Sequence, residues 1–257
     1  FQVWAPDVYQ GSPTPATAFL AVGSKGAGFV LLLRVLFGAV PMVAAQWSKL
    51  LIVIAAVTIL YGALCALAQR SLKRLMGYSS IANAGFLLLG VAATPHEGLT
   101  AVIYYLTGYL FTVLAAFMVL AVVLRGTESD DFSVLHGLGQ RSPFLAFSLT
   151  MAMVSLAGVP PLAGFFGKFL LFRSVIAAAS TDPRFYFLTG IAIVGVVMSL
   201  YYYFGVIRAT YWGGTNPDRS PLPSSGTAKL ALAVCIVGMV YAGVLPHNIV
   251  QTASTVA

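Results

Sequence analysis

Residues 158–172 read GVPPLAGFFGKFLLF and lie inside a long apolar run. Pro160 and Pro161 lack backbone N–H groups, and their rings clash with the preceding helical turn, so the pair predicts a break between two helical segments. Lys168 follows the break and places an ammonium group among apolar side chains. The stretch therefore predicts a broken helix with an ionisable group beside the break. The residues of the predicted break are Gly158, Pro160, Pro161 and Gly164.

The composition of the chain indicates a helical membrane protein. Of its 257 residues, 59% are hydrophobic and only 8% are charged, whereas soluble domains average about 25% charged residues. The apolar runs lack the short alternating pattern of outer-membrane strands. The net charge of +7 comes from cations at predicted helix ends, so it reports membrane topology and not nucleic-acid binding. Cys65 and Cys235 form no metal or redox motif.

Seven apolar stretches are long enough to cross a bilayer, which takes about 20 residues. The fifth exceeds one crossing and is interpreted as two halves, 142–157 and 162–178. Residues 1–12 are turn-rich, and Thr14 followed by Pro15 predicts a helix N-cap with proline at the first helical position. The predicted spans are 14–38, 46–69, 76–94, 98–124, 142–178, 185–210 and 227–247.

The distribution of cations between the connections predicts an orientation. Lysine and arginine concentrate in the loops 70–75, 125–141 and 208–229, and the alternate connections carry fewer. By the positive-inside rule these three loops are cytoplasmic, and the C-terminus lies on the opposite side of the membrane. Because the linker 126–141 carries both acidic and basic residues, we expect it to lie along the membrane surface.

Two lysines lie away from the ends of the predicted spans, Lys25 near the middle of the first and Lys168 after the break. A charge at that depth costs at least about 2.5–3.5 kcal/mol and by default marks a functional site. A lysine withdrawn from water gives up its proton more readily, so both lysines are candidate proton carriers. The broken helix predicts a hydrated interior beside them, because backbone groups cannot stay unsatisfied in lipid. The alternative is a structural lysine bonded to carbonyl groups.

Neither lysine has a predicted carboxylate partner, because every acid falls in a loop or at a helix end. Hydroxyl and amide groups within the spans could instead hold a chain of water molecules. Each such group is also explained by an interhelical hydrogen bond or by an interfacial aromatic position. The acids are Asp7, Glu97, Glu128, Asp130, Asp131, Asp182 and Asp218. The candidate relay residues are Tyr78, Asn83, Tyr104 and Tyr109.

Three stretches closely resemble the antiporter-like membrane subunits of complex I, the bacterial respiratory NADH:quinone oxidoreductase. They read FQVWAPDVYQGSPTPATAFLAVGSK (1–25), SLKRLMGYSSIANAGFLLLG (71–90) and GVPPLAGFFGKF (158–169). The resemblance implies a fold of about fourteen helices with two inverted five-helix repeats, each containing a broken helix. It places this chain in the C-terminal half of such a subunit, as one transmembrane domain over 1–257. The implied parts are 1–38 (end of the first repeat), 46–210 (second repeat) and 227–257 (C-terminal helix).

The resemblance also assigns roles to the two lysines. Lys25 matches a central lysine that connects proton pathways, and Lys168 matches the lysine of the second broken helix, which leads to proton exit. A glutamate and a further lysine of the family would precede Phe1, so we expect this chain to be the later part of a longer polypeptide. Asn83 and Gln2 stand where many relatives have histidine, which puts a titrating link at Asn83 in doubt.

The implied activity is proton translocation without a redox centre, catalytic residue, cofactor site or metal site in this chain. FMN, iron–sulfur clusters and quinone are expected in other subunits of the complex, which transfers electrons from NADH to quinone. The implied partners are a neighbouring antiporter-like subunit, small membrane subunits and the lipid bilayer of the bacterial cell membrane, with no nucleic acid. Two alternatives remain: a subunit of a stand-alone Na⁺/H⁺ (Mrp-type) antiporter or related membrane-bound hydrogenase, and a non-conducting scaffold.

Overall fold

The computed structural model of the chain describes residues 3–93, 95–127, 129–212 and 220–256. Throughout these ranges the regular secondary structure is helical, with a single isolated bridge between Ser71 and Asp131. Six helices are long and apolar enough to cross a membrane, and a shorter apolar helix precedes the break. The predicted fold class, an all-helical polytopic membrane protein, is confirmed.

Eleven α-helices follow one another in the described residues, and two of the connections contain a short 3₁₀ turn, Pro41–Val43 and Phe132–Leu135. Helix α2 includes two π-helical segments, Leu20–Ser24 and Arg34–Ala39. The helices are α1 (Trp4–Gly11), α2 (Thr14–Ala39), α3 (Ala44–Leu67), α4 (Leu72–Ala92), α5 (Pro95–Val123), α6 (Leu138–Arg141), α7 (Pro143–Ala157), α8 (Ala163–Ala179), α9 (Arg184–Trp212), α10 (Gly226–Val244) and α11 (Pro246–Val256).

The two halves around the break match their predicted bounds within one residue at each end. Helices α3, α4, α5 and α9 begin one to four residues before the predicted starts. The largest difference is in α4, where the Ser71 side chain accepts a hydrogen bond from the backbone N–H of Arg74 and so caps the helix before the predicted start at residue 76. Most of the predicted loop 70–75 is therefore helical.

The prediction that residues 1–12 form turns is wrong, because α1 occupies most of them. Its residues Pro6 and Tyr9 are buried against α4, so tertiary burial stabilises a helix that is too short to be stable alone. The predicted N-cap is also wrong by one position. Pro13 occupies the N-cap of α2, and Thr14 is the first helical residue.

The predicted last span, 227–247, is two helices, with α10 ending at Val244 and α11 beginning at Pro246. Pro246 has no N–H to donate to the carbonyl oxygen of Ala242, four residues earlier. That oxygen accepts a hydrogen bond from the Tyr104 hydroxyl instead. The missing N–H of Pro246 and the hydrogen bond from Tyr104 together explain why α10 ends and α11 begins at this point.

The linker 126–141 packs against the bundle through its 3₁₀ turn and α6. Leu135 and Leu138 are fully buried, and the backbone N–H of Leu72 donates to the carbonyl oxygen of Asp130 at 2.8 Å. The linker is thus fixed to the start of α4. Its position relative to a membrane surface stays a prediction.

The three predicted basic loops meet at one end of the bundle. The linker is joined to the start of α4 at Asp130, and the backbone N–H of Leu222 donates to the carbonyl oxygen of Arg141 at 3.4 Å. At the opposite end, Arg173 lies 3.6 Å from Glu97, and Arg184 lies 2.8 Å from Asp182. We call the end where the basic loops meet the cation-rich end; it too contains an ion pair, between Arg74 and Asp7 at 2.6 Å.

Helix α4 is the most enclosed of the long helices in the described ranges, since 89% of its most apolar 18-residue stretch is buried inside the bundle. It packs closely against α3 because glycines remove side chains from the contact. A Cβ atom on Gly62 would lie 2.5 Å from the backbone nitrogen of Ala82, and one on Gly85 would lie 2.8 Å from the backbone nitrogen of Ile59. Small residues of this kind let membrane helices approach closely, and the packing places α4 beside α5, α8 and α9.

Candidate functional site

The helix break begins at the end of α7 and contains three of the four residues predicted for it, Gly158, Pro160 and Pro161. Gly158 adopts a left-handed conformation (φ 85°) and caps α7, a role that favours glycine because other residues are strained there. The peptide bond between Pro160 and Pro161 is cis. Helix α8 then begins at Ala163, so Gly164 lies in its first turn.

Ser155 links the two halves across the break. The backbone N–H of Gly164 donates to the Ser155 hydroxyl at 3.2 Å, and the same hydroxyl lies 3.0 Å from that of Thr112 on α5. A Cβ atom on Gly164 would collide with the carbonyl oxygen of Ser155. Glycine at 164 is therefore required by the close approach of α8 to α7.

Lys168 returns from α8 to the end of α7 and is buried, with 4% of its surface exposed. Its Nζ donates to the carbonyl oxygens of Leu156 at 2.8 Å and Ala157 at 3.1 Å, and lies 5.1 Å from the centre of the Phe86 ring. These carbonyls belong to the last turn of α7, which has no intrahelical donors and carries the negative end of the helix dipole. The carbonyl-bonded arrangement considered as the structural alternative is thus present.

Lys25 follows the π-helical segment Leu20–Ser24 of α2 and is half-buried. Its Nζ donates to the carbonyl oxygen of Ser80 and to the hydroxyl of Tyr109, both at 2.8 Å. The same nitrogen lies 4.3 Å from the centre of the Tyr109 ring. Lys25 therefore connects α2 to both α4 and α5, and π-helical segments of this kind are frequent at functional sites.

The two lysines share a hydrogen-bonding pattern that suits proton exchange. Each Nζ has two oxygen acceptors among the described residues. An ammonium group carries three N–H donors, and the neutral amine retains two N–H groups and gains a lone pair. A neutral lysine therefore keeps two N–H donors, so a proton can leave or arrive either along a hydrogen bond to a hydroxyl or at the third position on nitrogen.

Tyrosines and a small cavity occupy the space between the two lysines. Tyr109, which bonds to Lys25, stacks on Tyr105 with ring centres 6.1 Å apart. The cavity measures about 10 Å³, and one of its walls is Leu156, whose carbonyl accepts from Lys168. That volume is close to the least that holds one water molecule. The cavity is lined by Tyr105, Tyr109, Thr112, Ser155, Leu156 and Gly164.

A second polar cluster extends from Tyr105 towards α9. The Tyr105 hydroxyl donates to Asn83 Oδ1, and Asn83 Nδ2 donates to the carbonyl oxygen of Ser79 at 2.9 Å and to the Tyr203 hydroxyl at 3.2 Å. The hydroxyls of Ser79 and Tyr203 are also hydrogen-bonded to each other. Asn83 is buried, and both the oxygen and the nitrogen of its side-chain amide are hydrogen-bonded. It organises this cluster without titrating.

The structure therefore brings together two of the four predicted relay residues, Tyr109 and Asn83. Tyr104 bonds to α10 through the Ala242 carbonyl, and Tyr78 packs edge-on against Tyr61, with ring centres 6.2 Å apart. Neither of these two contacts a lysine in the described residues. The sequence-based selection also omitted Tyr105, Ser80 and Tyr203. The helical spacing of the sequence would have indicated Tyr105, because residues 105, 109 and 112 share one helical face and residue 104 does not.

The described acids lie outside the membrane-spanning core, as the sequence predicts. Asp182 lies in the connection before α9, where the hydrogen bonds from Arg184 lower the pKa of its carboxyl. No group of three or more histidine, cysteine, aspartate or glutamate side chains in the described ranges could hold a metal ion. The remaining predictions at Gln2, Glu128, Asp218 and Arg219 fall outside the described residues.

Comparison with known proteins agrees with this geometry. Residues 1–199 match the family model of the NADH:quinone oxidoreductase/Mrp antiporter transmembrane family. The chain is 44% identical to NADH-quinone oxidoreductase subunit N 1 of Herpetosiphon aurantiacus over 250 residues, which is 96% of this chain and 50% of that protein. The chain thus spans about half the length of the curated relatives it matches.

Solved structures show the same fold. A chain of respiratory complex I from Thermus thermophilus with bound aureothin superposes with a TM-score of 0.81 at 35% identity, over 96% of this chain and 53% of that one. A chain of the Mrp complex from Dietzia sp. DQ12-45-1b gives a TM-score of 0.83 at 18% identity, over 98% and 54%, which shows the fold alone. The chain belongs to the NADH:quinone oxidoreductase/Mrp antiporter transmembrane family.

Proposed function

We propose that this chain is the C-terminal half of a proton-translocating subunit N of NADH:quinone oxidoreductase. The observation that carries the proposal is the pair of intramembrane lysines, each held by two oxygen acceptors and joined through Tyr109 and the small cavity. Residues 1–38 would complete the first inverted repeat, 46–210 would form the second, and 227–257 would be the C-terminal segment.

Proton transfer would begin at Lys25. Its Nζ donates to the Tyr109 hydroxyl, which can accept one proton and release its own on the other side. A water molecule in the cavity would carry the proton past Ser155 and Leu156. Neutral Lys168 would take it on its lone pair while its two N–H groups stay bonded to the α7 carbonyls. The partial negative charge of those carbonyls stabilises the ammonium that forms.

Electron transfer would take place elsewhere. FMN, iron–sulfur clusters and quinone belong in this proposal to other subunits, which would drive the lysines through the neighbouring membrane-arm subunits. The cation-rich end of the bundle, with loops 70–75, 125–141 and 208–229, would face the cytoplasm, because positive charge is retained on that side. The C-terminus would lie on the opposite side of the bacterial cell membrane.

The test replaces each lysine in the full-length subunit and reconstitutes the assembled complex in liposomes. We expect Lys168→Met and Lys25→Met to lose the share of protons that this subunit moves per NADH oxidised. Lys168→Arg should also lose it, because arginine keeps the charge but does not deprotonate. Lys49→Met is the matched control, since Lys49 is exposed at the start of α3. A wild-type ratio of protons to electrons in Lys168→Met would contradict the assigned role.

A second candidate is a subunit of a Na⁺/H⁺ antiporter, which the match of residues 1–199 to a family that includes the Mrp antiporter supports. Affinity purification of the full-length protein separates the two. Co-purification of flavin and iron–sulfur absorbance supports the redox-driven complex. Sodium-dependent proton flux in vesicles without NADH supports the antiporter. A scaffold without conduction predicts that the lysine variants change assembly but leave the proton ratio intact.

A further inference from the structure

A groove separate from the lysine pathway lies at the cation-rich end of the bundle. Its volume is about 790 Å³, which is within the range of small-molecule sites. It runs between the ends of α3 and α9, the start of α4 and the 3₁₀ turn of the linker. We call it the α9 groove, and its lining includes Leu67, Gln69, His136, Tyr201, Phe204, Gly205, Arg208 and Trp212.

The end of the groove towards the loops is polar and positive. Arg208 is exposed and forms no hydrogen bond or ion pair with any described residue. His136 lines the groove from the linker and is partly buried. The imidazole retains an N–H donor in either charge state. These two side chains from separate elements therefore offer donors and positive charge to an anion.

The other end of the groove is apolar and open to the outside of the bundle. Tyr201 is 74% exposed and Phe204 is 48% exposed, and Leu67 faces the same groove from α3. Gly205 lies between these side chains and Arg208 on α9, and a Cβ atom there would meet nothing within 4 Å. The seven-residue separation between Tyr201 and Arg208 corresponds to about 10 Å along the helix axis. The groove thus changes from apolar to cationic over that distance.

We propose that the α9 groove binds one phospholipid with an anionic headgroup. The phosphate would lie against Arg208 and His136, and an acyl chain would run down the apolar stripe past Gly205 to Tyr201. Trp212, 76% exposed at the end of α9, has the amphipathic ring that favours the headgroup region. Anionic lipids concentrate on the cytoplasmic leaflet, which is the side that attracts basic clusters. In the orientation proposed above, the groove opens to the cytoplasmic leaflet, so its charge and its side select the same ligand class; this step rests on the proposed function.

The experiment uses the purified complex containing the full-length subunit. The complex is stripped of lipid and titrated with vesicles of phosphatidylglycerol or of phosphatidylcholine, and bound lipid per complex is counted by mass spectrometry. Arg208→Ala should weaken binding of one phosphatidylglycerol about fivefold, because one cation near the membrane surface contributes about 1 kcal/mol to the binding of an anionic lipid. Gly205→Phe should abolish binding of that lipid by placing a ring in the groove, and an added Cβ atom at Gly205 would meet nothing within 4 Å, so the backbone of α9 is not displaced.

Arg125→Ala is the matched control, because Arg125 is an exposed cation at the same end of the bundle and does not line the groove. It should bind phosphatidylglycerol as the wild type does. Equal phosphatidylglycerol binding by wild type and Arg208→Ala would overturn the proposal, as would equal uptake of phosphatidylcholine. A photo-crosslink from position 204 to another subunit would also overturn it, by showing that protein fills the groove. These results do not depend on the proton pathway.

Discussion

Replacing Gly158 with alanine tests whether the break depends on backbone conformation. Gly158 has φ 85°, and a left-handed conformation costs an L-residue roughly 1–2 kcal/mol. The new Cβ atom would also lie 2.9 Å from Lys168 Cδ and 3.4 Å from its Nζ. Because the lysine chain is flexible, this contact adds less than the backbone strain. We expect Gly158→Ala to lower the free energy of unfolding by about 2–3 kcal/mol in total.

The measurement is the unfolding free energy of the full-length subunit in mixed micelles titrated with denaturing detergent. Gly190→Ala is the control, since Gly190 lies within α9 and its added Cβ would meet nothing within 4 Å. Alanine there should stabilise the helix by up to about 1 kcal/mol. Gly158→Asn should cost less than Gly158→Ala, because asparagine tolerates the left-handed region better.

The ranking of these variants decides between the two causes. If Gly158→Asn costs more than Gly158→Ala, the contact with Lys168 and not backbone strain dominates. If Gly158→Ala is as stable as Gly190→Ala, the reasoning about the break is refuted altogether. In a Lys168→Ala background the contact is absent, and the cost of Gly158→Ala should fall to the backbone part of roughly 1–2 kcal/mol.

Two further substitutions test neighbouring contacts. Ser155→Ala removes the hydroxyl that accepts from the Gly164 N–H and bonds to Thr112. It should therefore lower the unfolding free energy of the subunit by about 1–3 kcal/mol in the same detergent titration. An unchanged unfolding free energy would show that Ser155 does not hold α7 and α8 together. Gly62→Leu drives a side chain into the backbone of α4 and should prevent assembly of the complex, as judged by native gel, whereas Gly205→Leu, which points into open space, should assemble normally.

The membrane-spanning pattern could be predicted from the sequence because its causes are local. Apolar length sets each crossing, and the missing N–H groups of Pro160 and Pro161 interrupt the fifth one, so the halves were placed within one residue. Helix α1 and the interruption between α10 and α11 were not predicted. Helices α1 and α11 are both short, and α1 is held by burial of Tyr9 against α4, which no window of neighbouring residues reveals.

The candidate site was predicted only in part, because its partners come from distant segments. The acceptors of Lys25 lie 55 and 84 residues away, on α4 and α5. Helical spacing separates Tyr104 from Tyr109, but it does not show that Tyr104 bonds to α10 and Tyr109 to Lys25. The hydrated interior expected beside the break stays a prediction; Lys168 itself donates to two of the carbonyls, and the cavity that includes Leu156 in its wall measures about 10 Å³.

The sequence by itself determined that this protein crosses a membrane, that an apolar stretch is interrupted at Pro160 and Pro161, and that Lys25 and Lys168 lie in apolar stretches without a carboxylate from the described spans. These properties follow from apolar length, proline chemistry and the position of each charge. Only the tertiary structure decided which groups accept hydrogen bonds from the two lysines. Packing of α4, α5 and α7 around α2 and α8 supplies carbonyl and hydroxyl oxygens, because a polar group buried in the bundle must find its partner wherever the fold places one.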